Sequence, residues 1–233
     1  MGASPIRRLG GRGRGGAEFS VACGGANGLS YAVKTRRKGL GPEGRRVDST
    51  MRWFLYNVLF AVAYAAMLPH FLLRMKRRGG YRARFADRFG RYPEEVAARL
   101  RALDGAVWVH AVSVGEVYVA GQVMRALRER LPDVRFVLST TSSTGWKEAE
   151  KLVGPQDVLV FNPLDFPPCV ERALEAIRPR AFILTESEIW PNVIRACHRR
   201  GVPLFLVNAR VSDRSAPGYR RLRLWFGPAL RMF

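Results

Sequence analysis

The sequence has little of what staples or metallates a fold. Only three cysteines occur in 233 residues, Cys23, Cys169 and Cys197, far apart and with no C-x-x-C pair. That usage argues against a disulfide framework and for a reducing compartment. The three histidines, His70, His110 and His198, are just as scattered, so no His/Cys cluster has zinc spacing. Acidic residues are scarce: 19 Asp and Glu stand against 39 Lys and Arg, a formal net charge of +20. This balance favours an anionic partner, whether nucleic acid, an acidic membrane surface or a phosphorylated substrate. No G-x-G-x-x-G follows the first predicted strand, which removes the dinucleotide fingerprint. The N-terminus lacks the apolar core of a secretory signal. Hydrophobic residues are not lacking: at 48% they can fill the core of one large domain, or of a domain with appendages.

Residues 1–50 are rich in Gly and Arg (RRLGGRGRGGAE, then KTRRKG) and show no apolar periodicity. Such a composition cannot offset its ordering entropy, so disorder is expected. An arm on nucleic acid, a targeting peptide and an over-extended start with Met51 as the true first residue are the alternatives; the last is favoured. From Trp53 to Leu73 there is no Asp, Glu, Lys or Arg. This stretch can cross a hydrocarbon core of roughly 30 Å at about 1.5 Å per residue. Pro69 is expected to kink or end the helix, and Trp53, Tyr56 and Tyr64 are rings of the interfacial kind. Spanning, partial embedding and a buried core helix all remain open. A basic run follows: Arg74, Lys76, Arg77, Arg78, Arg82, Arg84, Arg88 and Arg91. The positive-inside rule puts this side in the cytoplasm. The run is expected to hold the next domain to anionic lipid at about 1 kcal/mol per basic residue near the surface.

From Ala106 the pattern is regular. Apolar runs at Val107–Val112, Val134–Leu138, Val158–Phe161, Phe182–Leu184 and Leu204–Val207 predict strands. Helical periodicity lies between them, near Val117–Arg130, Gly145–Val153, Pro167–Ile177 and Trp190–Arg200. The alternation predicts an α/β fold with a Rossmann-like parallel sheet. In such sheets ligands bind outside the carboxyl ends of the strands. The residues just past each run are therefore the candidate site. After the first come Ser113, Gly115 and Glu116; after the second, the hydroxyl-rich Ser139–Thr144 (with Thr140, Thr141 and Ser142) and Gly145; after the third, Asn162 to Asp165; after the fourth, Glu186, Ser187 and Glu188; after the fifth, Asn208, Arg210, Ser212 and Arg214. Carboxylates among hydroxyls, arginines and helix N-termini suit a polyhydroxylated, anionic substrate such as a sugar acid or phosphorylated sugar. Blander roles stand beside these. Glu116 can simply complement a helix dipole, Ser143 or Thr144 can cap a helix, and Trp190 can be core.

Four motifs in this order carry a resemblance: HAVSVGEV (His110–Val117), STTSSTG (Ser139–Gly145), ESEIWPN (Glu186–Asn192) and VNARVSDRSAPGYRR (Val207–Arg221). With YRARFADRFG (Tyr81–Gly90) after the apolar segment, the chain from Met51 onward resembles the N-terminal half of the 3-deoxy-D-manno-octulosonic acid (Kdo) transferases of Gram-negative bacteria. The resemblance implies a two-domain glycosyltransferase of the GT-B architecture on the cytoplasmic face of the inner membrane. It implies transfer of Kdo from CMP-Kdo to a lipid A precursor with inversion, with no metal and no further cofactor. It implies that the N-terminal domain binds the acceptor, that Glu116 is the general base and that Glu186 stabilises the transition state. The domains expected are a Gly/Arg-rich extension over 1–50, a membrane anchor with its basic flank over 51–78, and an acceptor-binding Rossmann-like domain over 79–233. The family's C-terminal donor domain has no counterpart in this sequence, so this chain alone is expected to be inactive. Another membrane-associated GT-B glycosyltransferase, or a non-catalytic membrane-tethered anion-binding module, is the alternative; nothing after Ala106 resembles a nucleic-acid motif.

Overall fold

The computed structural model describes residues 46–78, 84–186, 189–209 and 223–233. Helix α1 (Arg46–Arg78) leads through a short 3-10 helix (Phe85–Phe89) to α2 (Glu94–Leu103). There follow β1 (Val107–Ala111), α3 (Val114–Arg130), β2 (Phe136–Thr140), α4 (Ser143–Ala149), β3 (Val158–Phe161), α5 (Pro167–Ile177), β4 (Ala181–Thr185), α6 (Pro191–Arg199), β5 (Leu204–Val207) and α7 (Arg223–Leu230). The five strands form one sheet in the order β3-β2-β1-β4-β5, and every neighbouring pair is parallel. The sheet is doubly wound, with helices on both faces.

Alternation along the strands sorts the core into two layers. Trp108, Val137, Val160, Phe182 and Leu184 pack with residues of α2, α5, α6 and α7. Val109, Phe136, Leu138, Leu159 and Ile183 pack with α3 and α4. β1 to β4 are buried along their whole length, which is why they read as continuous apolar runs. The second strand starts at Phe136, two residues later than the hydropathy placed it, so Ser139 and Thr140 are strand residues and not loop. The Ser139 hydroxyl sits in a dry sheet because the partner strand carries polar atoms there: Trp108 Nε1–H donates to Ser139 Oγ at 2.7 Å.

The YRARFADRFG motif is described from Arg84 onward, and there it is a strap. Asp87, fully buried, accepts from Arg84 and from the Phe161 N–H. Arg88, 2% exposed, donates to the Thr141 carbonyl and lies over the Phe161 ring. Arg84 and Arg88 therefore face the protein, a correction to a basic run taken to be wholly lipid-facing; the side chains from Arg74 to Arg82 lie outside the described residues. Gly90 closes the strap at φ 67°, and a Cβ there would meet the Cys169 carbonyl at 2.6 Å. Both the handedness and the close approach call for glycine.

Helix α1 departs from expectation in two ways. It begins at Arg46, ahead of Met51, and continues past Pro69 to Arg78. Pro69 is exposed, so the ring costs one hydrogen bond at the surface and does not end the helix. α1 also lies against the domain. Tyr56 OH donates to Asp165 Oδ2 at 2.7 Å, and Asn192 Nδ2 donates to Asn57 Oδ1 at 2.7 Å. Phe60 and Tyr64 meet Phe166 edge-on, and the Arg195 guanidinium lies over Trp53. A hydrogen bond to a charged acceptor contributes about 1.5–3 kcal/mol, and each aromatic pair about 0.5–1.5 kcal/mol, so the docking is a specific one. Residues 1–45 and the expected disorder there lie outside the described residues.

Two outcomes test this packing. Gly90→Ala is expected to destabilise by about 1–3 kcal/mol through overpacking, read as a lower urea midpoint at unchanged slope. Asp165 is fully buried, and burial lifts its carboxyl from 3.8 to about 6 against the donors from Asn192, Tyr56 and Val193. The folded protein then keeps a proton that the unfolded chain has released. Its stabilising contribution is full below pH 3.8 and is lost as pH rises through about 6. Denaturant unfolding at pH 5 and pH 7 should show a larger loss over that interval in the parent chain than in Asp165→Asn; equal losses would refute the assignment.

Candidate active site

β1 and β4 are adjacent, but their chains leave the sheet in opposite directions, β1 through α3 to β2 and β4 through α6 to β5. Their carboxyl ends therefore border the topological switch point, where open α/β sheets bind ligands. Glu116 follows β1 and Glu186 follows β4, so the fold brings the two predicted acids to this one crevice.

Glu116 is held by a capping arrangement. Ser113 is the N-cap of α3, and its hydroxyl accepts from the Glu116 N–H at 3.3 Å. The Glu116 carboxylate reaches back and accepts from the Val112 N–H through Oε2 at 2.9 Å. The dipole-complementing role is thus real, and it also fixes the side chain. Glu116 is only 4% exposed. Burial raises its pKa, opposed by the donors from Val112 and Ser113 and assisted by the negative charge of Glu186. Desolvation therefore outweighs these donors, and the carboxyl is a better base than one in water.

Glu186 has φ 62° and Asn208 has φ 54°. They are neighbours past the ends of β4 and β5: the Glu186 N–H donates to the Val207 carbonyl at 2.9 Å, and Asn208 Nδ2 donates to Glu186 Oε1 at 3.4 Å. Asparagine tolerates the left-handed region. Glutamate pays of order 1–3 kcal/mol for it, a cost typical of binding and catalytic positions.

The hydroxyl-rich stretch divides between structure and site. Ser142 is the N-cap of α4, accepting from the Gly145 N–H at 3.0 Å, which corrects the expected cap at Ser143 or Thr144. Ser142 also donates to the Val112 carbonyl at 3.2 Å, tying this turn to the one that carries Glu116. Gly145 fits because a Cβ there would lie 2.5 Å from Thr140 Oγ1. Gly115 stands in the open first turn of α3, with only Ser113 Oγ near its would-be Cβ, at 3.9 Å. Thr144 is exposed and reaches Ser142 Oγ at 3.3 Å. Thr140 Oγ1, Thr141 Oγ1, Asn162 Oδ1, His110 Nε2 and Trp190 Nε1 are buried without a hydrogen-bond partner among the described residues. Such atoms are unusual in a folded protein and mark places for water or ligand hydroxyls. Glu188, Arg210, Ser212 and Arg214 lie outside the described residues.

His110 and Trp190 were not singled out as site residues from sequence. His110 is fully buried on β1, its Nδ1 2.9 Å from Ser139 Oγ, and its ring 6.3 Å from that of Trp190. Burial lowers its pKa to about 4, so it is neutral near pH 7. Its position, two residues on from the buried Trp108 in a short apolar strand, was the available signal.

A profile of the 3-deoxy-D-manno-octulosonic-acid transferase (Kdo transferase) family matches residues 83–233. The chain belongs to this family. Over 165 residues it is 41% identical to the 3-deoxy-D-manno-octulosonic acid transferase of Bordetella pertussis, covering 68% of this chain and 36% of that protein. It is 29% identical over 170 residues to the enzyme of the same name from Haemophilus influenzae, covering 73% and 39%. It is 31% identical over 180 residues to a probable mitochondrial 3-deoxy-D-manno-octulosonic acid transferase of Arabidopsis thaliana, covering 76% and 38%. The matched stretch is less than half the length of each of these relatives.

The coupling between the two acids is measurable. Carbon-13 NMR titration of the side-chain carboxyls should place Glu116 above 4.5. Glu186→Gln removes a neighbouring negative charge, so the Glu116 midpoint should fall. An unchanged midpoint would mean that the two groups do not share the crevice.

Proposed function

We propose that this domain is the acceptor-binding half of a GT-B glycosyltransferase that moves Kdo from CMP-Kdo to a lipid A precursor. The observation that carries this is Glu116: a buried carboxylate held by backbone at the sheet's switch point, its pKa raised by burial, with Glu186 close enough to act on it.

The chemistry follows from the placement. Oε2 of Glu116 is occupied by the Val112 N–H, so Oε1 takes the proton from the acceptor's sugar hydroxyl. The freed oxygen attacks the anomeric carbon of Kdo, and the bond from that carbon to the phosphate oxygen of CMP breaks. CMP leaves with the electron pair, and attack opposite to it inverts the centre. Positive charge develops at the anomeric carbon, and the carboxylate of Glu186 is the group available to stabilise it. The unpartnered polar atoms of Thr140, Thr141 and Asn162 offer sites for acceptor hydroxyls. Arg210 and Arg214, with Ser212, supply charge and a hydroxyl for phosphate or carboxylate groups. The reaction needs no metal in this scheme, since Glu116 and Glu186 manage the proton and the charge. In this reading the CMP-Kdo site is completed by a second domain across the cleft. The site belongs on the cytoplasmic side of the inner membrane, where a net charge of +20 meets anionic lipid and the phosphates of the acceptor.

The test is Glu116→Gln in a chain that carries both domains. The amide oxygen can still accept from Val112, so folding should be intact. Loss of a general base lowers kcat by about 10²–10⁴-fold, read as CMP release with KM little changed. Transfer at the parent rate would remove Glu116 from the base role.

A further inference from the structure

Helix α1 contains a 24-residue segment, Thr50–Leu73, long and apolar enough to cross a bilayer. Its environment argues for a different placement. The partly buried positions Tyr56, Asn57, Phe60, Tyr64 and Phe71, with the buried Trp53, recur at helical spacing along one face. That face is docked from end to end, Trp53 under Arg195, Tyr56 on Asp165, Phe60 and Tyr64 on Phe166, and Phe71 under Arg88. Trp53 to Phe71 is roughly 27 Å of helix at about 1.5 Å per residue, close to the roughly 30 Å of a hydrocarbon core. A spanning α1 would either carry Asp165, Asn192, Arg195 and Arg88 into that core or give up every one of these contacts. The opposite face is largely apolar: Phe54, Leu55, Leu59, Val62, Met67 and Leu73 are all exposed, with His70 the exposed polar residue near its C-terminal end.

Charge points the same way. Arg46 and Arg52, with Asp48 between them, precede the apolar stretch, and Arg74, Lys76, Arg77 and Arg78 follow it. A spanning helix carries its basic excess on one side. A helix with cations at both ends fits one anionic surface along its whole length.

We propose that α1 lies in the plane of the bilayer surface, latched to the domain by Tyr56 and Asn57, with its outer stripe dipped into a bilayer of anionic lipid. Asp165 and Phe166 follow β3, and Asn192 opens α6, so the latch sits at the carboxyl edge of the sheet. This is the edge that carries Glu116 and Glu186. An in-plane α1 therefore sets the crevice beside the headgroup layer, where a lipid-anchored acceptor presents its sugar. The inference rests on the membrane-bound reading above and adds its geometry.

The experiment places one environment-sensitive fluorophore at a time on the outer stripe of the full chain, through Leu55→Cys, Val62→Cys or Leu73→Cys. The background is Cys23→Ser, in which the remaining thiols, Cys169 and Cys197, are buried. Vesicles of phosphatidylcholine are compared with and without phosphatidylglycerol, and quenching by lipids brominated near the headgroup is compared with quenching by lipids brominated deep in the chain. The expected result is a blue shift of all three probes that needs phosphatidylglycerol, with stronger quenching by the shallow bromine at all three. Deep quenching at Val62 with shallow quenching at Leu55 and Leu73 would overturn the in-plane placement and leave membrane binding standing. No shift on either vesicle would overturn lipid as the occupant and the membrane-bound reading with it. A blue shift that appears without lipid and grows with protein concentration would assign the stripe to a second copy of the chain instead.

Discussion

The parallel pairing of β1 with β4 is the constraint on which the site depends. Val107 to His110 lie opposite Ala181 to Leu184 in register, and Thr185 Oγ1 donates to the His110 carbonyl at 2.8 Å just where the two strands part. Two carboxylates 70 residues apart in the chain, Glu116 and Glu186, reach one crevice only because these strands are neighbours. Without that pairing each would be an ordinary acid at the start of its own loop.

Buried aspartates do a second job, fixing where the chain leaves the strands. Asp87 accepts from the Phe161 N–H and Arg84. Asp157, 1% exposed, accepts from the N–H groups of Phe136 and Gly154 and from Arg128. Asp165 accepts from the N–H groups of Asn192 and Val193 and from Tyr56. A buried carboxylate is tolerated because it collects several donors at once. Each of these joins segments distant in sequence, and Asp165 joins α1 to the element that follows the Glu186 loop. The packing of α1 and the start of α6 are therefore fixed through one side chain.

The large positive charge divides in a similar way between structure and surface. Arg84, Arg88 and Arg128 are drawn inward, over Trp146, Phe161 and Phe136 respectively, where a guanidinium gains from an aromatic face. A count of basic residues overstates what is available to an anionic partner.

The sequence alone determined the alternation of strands and helices, because four of the five strands are buried on both faces and a buried strand must be apolar throughout. It also determined that Glu116 and Glu186 sit at strand ends, and its motifs identified the family. It set the second strand two residues early, since Ser139 looks like loop until Trp108 and His110 are seen to meet its hydroxyl. It did not tell a spanning helix from a docked one, because Tyr56 and Asn57 read as minor blemishes in an apolar run until Asp165 and Asn192 are brought to them. Hydropathy records what each residue prefers. Which residue meets which is fixed by strand order and by the packing of α1, and those contacts decide whether a polar side chain is a flaw, a latch or part of a site.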